Sequence, residues 1–268
     1  MNDKRGLDLG PVIDWITDNK AEINRRLEWV QQYRGGTEKP PYVLREKERL
    51  LLSEQEISAV IHRYPETARQ RSILSVVSGQ APAWFHKDST KEEPFPTDKV
   101  EEALCPTSII PGYIRYPTWT PEKKEAEIWL YQLEGVPVDV ARVILIYTLL
   151  HEYCHTLVAE LFYNETYRLL WGSEQREITG LEVMTEFAKL ATKYSPISHY
   201  SSIYWPLPTE PEDPRFYVSV SEEMCDTVAA HLLRFMYCDD EKRRLNPLAD
   251  RPEVKAATIR FLETCRAS

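Results

Sequence analysis

VILIYTLLHEYCHTLVAEL, residues 143–161, decides how this chain is read. Val143, Ile144, Leu145, Leu149, Leu150, Leu157, Val158 and Leu161 cover nearly every face of a helix, so the segment is expected to be buried, with Asp139 as its N-cap. Inside it stands His151-Glu152-Tyr153-Cys154-His155. Histidines at i and i+4 lie one turn apart on a single helix face, so their ring nitrogens converge on one ion. Glu152, beside the first of them, is placed to take a proton from a water at that ion. Burying two imidazoles and a carboxylate in so apolar a helix is costly unless each finds a partner. A cation removes the difficulty, and Zn2+ is the expected cofactor; hydrogen-bonded core histidines are the structural alternative.

A catalytic zinc needs a third protein ligand and one open position. After His155 the chain reads TLVAELFYNE, without Gly or His, so the extended histidine motif of the metzincins is absent and the remaining donors are acidic. Glu222 is followed by Asp226 four residues later, which places both carboxylates on one helix face. One can then bind the ion while the other accepts the spare N–H of a ligand histidine. Glu174, separated from His155 by eighteen residues, is the competing ligand but has Ile178 where a second carboxylate would stand. The criterion of ligand plus supporting carboxylate favours Glu222 and leaves Glu174 open as the alternative.

The HEYCH helix followed by a helix with Glu222 and Asp226 resembles the gluzincins, the thermolysin-like class of zinc metallopeptidases. Ser195–Ser201 (SPISHYS) followed by Ser221–Leu233 (SEEMCDTVAAHLL) is similar to motifs of the lethal-factor-like bacterial metallopeptidases, with Trp205–Phe216 inserted between them. The resemblance covers about a third of the chain. It implies an α+β fold with a zincin-like core, mostly helical with a small sheet. It also implies a zinc endopeptidase acting on protein or peptide substrates, with His151, His155 and Glu222 on the metal and Glu152 as general base. Glu174 with Trp171 three residues before it is similar instead to the zinc aminopeptidases. A zincin-fold scaffold or regulator without activity is the non-enzymatic alternative.

Outward from this centre, punctuation divides the chain. Residues 1–80 read as a helical N-terminal lobe and 81–268 as the catalytic domain, the two being compatible with one compact unit. Ile13, Trp15, Ile16, Ile23, Leu27 and Val30 recur at helical spacing before Gly35-Gly36. Further helices are expected over 43–64, divided by a capping box at Ser53-x-x-Glu56, and over 65–77. Ser108–Trp119 and Ala126–Leu133 are the strand candidates, being rich in aromatic and β-branched residues. The second, AEIWLYQL, is expected as an edge strand over the cleft, with an interior place in the sheet as the alternative. Helices follow over 180–194, opened by a Thr179-x-x-Glu182 capping box, then over 220–237 and 252–266.

Composition narrows the partners. The 268 residues are 43% hydrophobic and 28% charged, which is ordinary for a globular protein. With 42 acidic against 33 basic residues and a formal charge of −9, no basic footprint for nucleic acid or anionic membrane is present. The longest apolar run, Val143–Leu150, falls far short of the ~20 residues that span a bilayer. Five cysteines without a C-x-x-C pair, and a charged N-terminus without a following apolar run, suggest reduced thiols and a cytoplasmic protein, or one delivered into another cell's cytosol. Cys154 and Cys225 read as core. An oxyanion donor is expected among Tyr200, Tyr204, Tyr217, His199 and His231, unranked. Substrate identity and oligomeric state have no signature in the sequence.

Overall fold

The computed structural model describes residues 9–35, 42–45, 50–65, 73–79, 112–119, 124–133, 135–163, 168–171, 176–198 and 200–267. The fold is α+β. Three short helices open it: α1 (Leu9–Asp18), α2 (Lys20–Arg26) and α3 (Glu28–Gln32). Then come β1 (Tyr42–Arg45), α4 (Glu54–Ile61), β2 (Ile73–Gly79), β3 (Gly112–Trp119), β4 (Lys124–Tyr131) and the long helix α5 (Val138–Tyr163). A hairpin of β5 (Arg168–Trp171) and β6 (Arg176–Thr179) leads into α6 (Gly180–Ala191). The chain closes through a 3-10 turn (Ser201–Tyr204), α7 (Phe216–Leu233), the short α8 (Glu241–Arg244) and α9 (Pro252–Ala267).

The main sheet has the order β1-β2-β4-β3, with β1, β2 and β4 parallel and β3 antiparallel to β4. Two differences from expectation follow. The first 80 residues are not wholly helical, because Tyr42–Arg45 and Ile73–Gly79 pair in register with one another and, through β2, with Ala126 and its neighbours. The sheet therefore runs across the 80/81 division. AEIWLYQL, for its part, begins within β4, an interior strand held between β2 and β3, so the edge on the α5 side of the sheet is β3.

Helix α5 is the axle of the core. Residues 143–146, 148–151 and 153–161 are buried, and the helix packs on β3, β4, α4, α6 and α7. Each fully buried Leu, Ile or Val side chain contributes about 1.5–3 kcal/mol. This surrounding apolar burial is what can offset the desolvation of the histidines. The helix starts at Val138, where the Ala141 N–H donates to the Pro137 carbonyl at 2.8 Å. Asp139 thus stands in the first turn rather than before it, where its negative charge suits the helix dipole and pairs with Lys20 at 2.5 Å. Both expected capping boxes form, Ser53 with Glu56 and Thr179 with Glu182. No helix among the described residues is long and apolar enough to cross a membrane.

Candidate metal centre

Helices α5 and α7 pack along one another and bring together groups that are 71 and 75 residues apart in sequence. His151 and His155 point the same way from α5, with Nε2 atoms 3.1 Å apart. From α7, Glu222 Oε2 lies 3.1 Å from His151 Nε2 and 3.6 Å from His155 Nε2. A tetrahedral ion with bonds of about 2.0–2.1 Å holds its ligand atoms about 3.3–3.4 Å apart. The three atoms therefore outline one face of such a tetrahedron. Glu152 is half-buried, and its carboxylate and both imidazoles offer ligand atoms within 4.8 Å of one another.

The chemistry of the donors tests whether a cation fits. His151 Nδ1 lies 2.7 Å from Asp226 Oδ1, and a carboxylate can only accept, so the imidazole donates there. Neutral His151 then carries a lone pair on Nε2, facing the carboxylate oxygen of Glu222. Acceptor against acceptor in a buried site is repulsive unless a positive charge lies between them. A metal ion satisfies all three atoms together, whereas a proton satisfies one pair at a time.

Without a metal, the proton takes that place. Burial opposes charge on His151, but the carboxylates of Asp226 and Glu222 outweigh it and hold the imidazole well above its usual pKa. Burial alone would raise Glu222, yet the imidazoles of His155 and His151 hold it well below the ordinary carboxylate range. Glu152 moves the other way. Burial raises it, the two imidazoles pull against that rise, and Glu222 and Asp226 add to it.

Asp226 is fully buried and receives more than the histidine. The hydroxyls of Tyr147 and Ser198 both donate to it, Tyr147 to Oδ1 and Ser198 to Oδ2. Neither residue stood out in the sequence. Tyr147 lies one turn before His151, so its i, i+4 spacing to the motif was the available signal; Ser198 lies within the SPISHYS stretch, whose likeness to metallopeptidase motifs was the available signal.

Of the expected oxyanion donors among the described residues, Tyr200 packs its ring edge-on to His151 with centroids 6.2 Å apart. Its hydroxyl lies 3.2 Å from that of Tyr204. Burial, followed by the Glu222 carboxylate, raises both phenols and keeps them protonated. Tyr217 packs instead against Phe162 and Tyr163. His231 is half-buried near Lys255 and Arg234, and burial followed by those two charges lowers its pKa. His199 and Glu174 lie outside the described residues. Cys154 and Cys225 are free and buried, as expected of core thiols. Compared with protein families, with curated proteins and with solved structures, the chain matches none of them.

Proposed function

We propose that this chain is a zinc-dependent endopeptidase of the gluzincin class, with a zincin-like core, hydrolysing peptide bonds of protein substrates. The observation that carries the reading is the triangle of His151 Nε2, His155 Nε2 and Glu222 Oε2, two ring nitrogens and a carboxylate oxygen set 3.1–3.6 Å apart, which one cation can satisfy together. A zinc ion held by these atoms would supply Lewis-acid polarisation of the scissile carbonyl and a more acidic water. Glu152 takes the proton of the attacking water and delivers it to the leaving nitrogen as the C–N bond breaks. Tyr200, kept protonated by its burial, donates to the carbonyl oxygen as that oxygen gains charge.

Two further features support this reading. β3 packs against α5 and stands last in the strand order among the described residues, next to β4, the place in a sheet where strand addition binds an extended peptide. The position of Glu222 Oε2, 3.1 Å from His151 Nε2 and 3.6 Å from His155 Nε2, supports taking it as the third ligand in preference to Glu174.

The test compares wild type, Glu152→Gln and His155→Ala for zinc content and for cleavage of a whole-proteome digest. Wild type is expected to hold one zinc per chain and to generate new chain termini. Glu152→Gln keeps the metal and loses about 10²–10⁴ in turnover, while His155→Ala loses the metal. A zinc-free wild type sinks the proposal, and a zinc-loaded wild type that cleaves nothing points to the scaffold instead.

A further inference from the structure

Behind the candidate centre lies a second buried pair that the proposed chemistry does not use. Glu223 and Arg251 are both 0% exposed, and Arg251 Nη1 donates to Glu223 Oε1 at 3.2 Å. Burial works against both charges: it raises the Glu223 carboxyl, to about 7, and lowers the Arg251 guanidinium, and in each case the partner's charge pulls back. Replacing such a pair with apolar side chains of similar volume is often neutral or stabilising, so stability alone is a weak reason for its presence.

What the pair does that an apolar pair cannot is hold backbone. Arg251 Nη2 donates to the Ser195 carbonyl. The Ile197 N–H donates to both Glu223 oxygens, each at 3.2 Å. The hydroxyl of Ser201 also bonds to Glu223. Between these points the turn closes on itself, with the Ser201 N–H donating to Ser198 Oγ at 2.8 Å and the Ser198 N–H to Ser201 Oγ at 3.1 Å. The captured segment carries Ser198, which holds Asp226, and leads into Tyr200, which faces His151. Glu223 directly follows Glu222, so one turn of α7 offers a metal-facing carboxylate and, about 100° around the helix, the anchor for this segment.

We propose that Glu223 and Arg251 are positioning residues: together they fix residues 195–198, 200 and 201 so that Ser198 holds Asp226, and through it the His151 imidazole, while Tyr200 is set beside the centre. The inference rests on the reading of His151, His155 and Glu222 as metal ligands, and it draws Arg251, at the threshold of the C-terminal helix, into the support of the site.

The experiment uses the full chain carrying Glu223→Leu with Arg251→Met, an apolar replacement of the pair, alongside the shape-conserving Glu223→Gln. Amide hydrogen exchange is read over 195–201, and affinity for Zn2+ alone by chelator competition. The visible spectrum of the Co2+-substituted protein reports ligand geometry. Cooperative unfolding is expected to be retained, exchange at Ile197 to accelerate at least about tenfold, zinc affinity to fall about tenfold and the Co2+ spectrum to change. If the double replacement does not fold, Glu223→Gln is read by the same three measurements. Wild-type exchange over 195–201 in a folded variant overturns the proposal, as does faster exchange with unchanged zinc affinity and Co2+ spectrum. A wild-type chain that binds no Zn2+ overturns the metal reading itself, a result separate from either.

Discussion

His151 gives its Nδ1 proton to Asp226 across 2.7 Å, and Asp226 stands one turn beyond Glu222 on the facing helix. The contact fixes the tautomer and turns Nε2 toward Glu222 and His155. It also makes the imidazole a stronger base toward a cation, as a carboxylate behind a ligand histidine does. Asp226→Asn keeps the shape and an acceptor for the histidine, but removes the charge. Zinc affinity is expected to fall about 10–100-fold with the fold retained, measured by chelator competition. Asp226→Ala should in addition lower the melting temperature, because it strands the hydroxyls of Tyr147 and Ser198. An unchanged affinity in Asp226→Asn would separate this contact from metal binding.

Tyr200 and Tyr204 share a hydrogen bond, but only the Tyr200 ring lies against His151. Tyr200→Phe is expected to reduce kcat about 10²–10³-fold, the range for loss of one oxyanion donor, while zinc content and KM stay close to wild type. Tyr204→Phe removes only the hydroxyl behind it and should cost less. Steady-state kinetics on a cleaved peptide, with metal analysis of the same samples, decide the order; a larger loss in Tyr204→Phe would exchange the two roles.

The centre was legible in the sequence because its information is local. His151 with His155 and Glu222 with Asp226 are i, i+4 pairs, and each pair shares a helix face wherever its helix goes. The Ser53 and Thr179 capping boxes span four residues and formed for the same reason. β1 and β2 were not legible. Their partners lie far along the chain, Tyr42 opposite Leu74 and Leu74 opposite Ala126, and a short apolar run such as ILSVVSG does not separate strand from helix by periodicity. The place of AEIWLYQL depends on the strand order β1-β2-β4-β3, which no local pattern encodes.

Protonation of the metal-free centre makes its stability depend on pH, and the sign follows from each shift. His151 is raised when folded, so its contribution is complete below the unfolded value of about 6.5 and is lost as pH rises through the folded value. Glu223, raised by burial to about 7, acts in the same direction, losing its contribution between about 4.3 and 7. Glu222 is lowered, so its contribution is present above about 4.3 and is lost only as pH falls through the folded value. The melting temperature of metal-free protein should therefore decline from about pH 5 to pH 9. Zinc replaces the proton between the ligands, so its affinity should climb with pH over the same range and loaded protein should decline less. A metal-free melting temperature that rises steadily toward pH 9 contradicts this assignment.

Gly180 opens α6 against the end of α5, and a Cβ there would lie 2.1 Å from the Leu161 carbonyl oxygen and 2.5 Å from its Cα. Both atoms are backbone, so no rotamer change relieves the clash and one helix must shift. Overpacking of this kind costs about 1–3 kcal/mol or more, equivalent to a fall of several degrees in melting temperature for a chain of this size. Gly35 is the control. Its φ of 73° is left-handed, but among the described residues nothing lies within 4 Å of a built Cβ, so Gly35→Ala is expected to meet mainly backbone strain of about 1–2 kcal/mol. Gly180→Ala is expected to lose more stability than Gly35→Ala in thermal unfolding. It should nevertheless bind zinc, because Leu161 lies well over a turn beyond His155 and the end of α5 is pinned independently by the Lys124–Glu160 ion pair. Equal melting temperatures in the two variants would mean that α5 and α6 part at no cost. Loss of zinc from folded Gly180→Ala would mean that the end of α5 and the metal ligands move as one rigid piece.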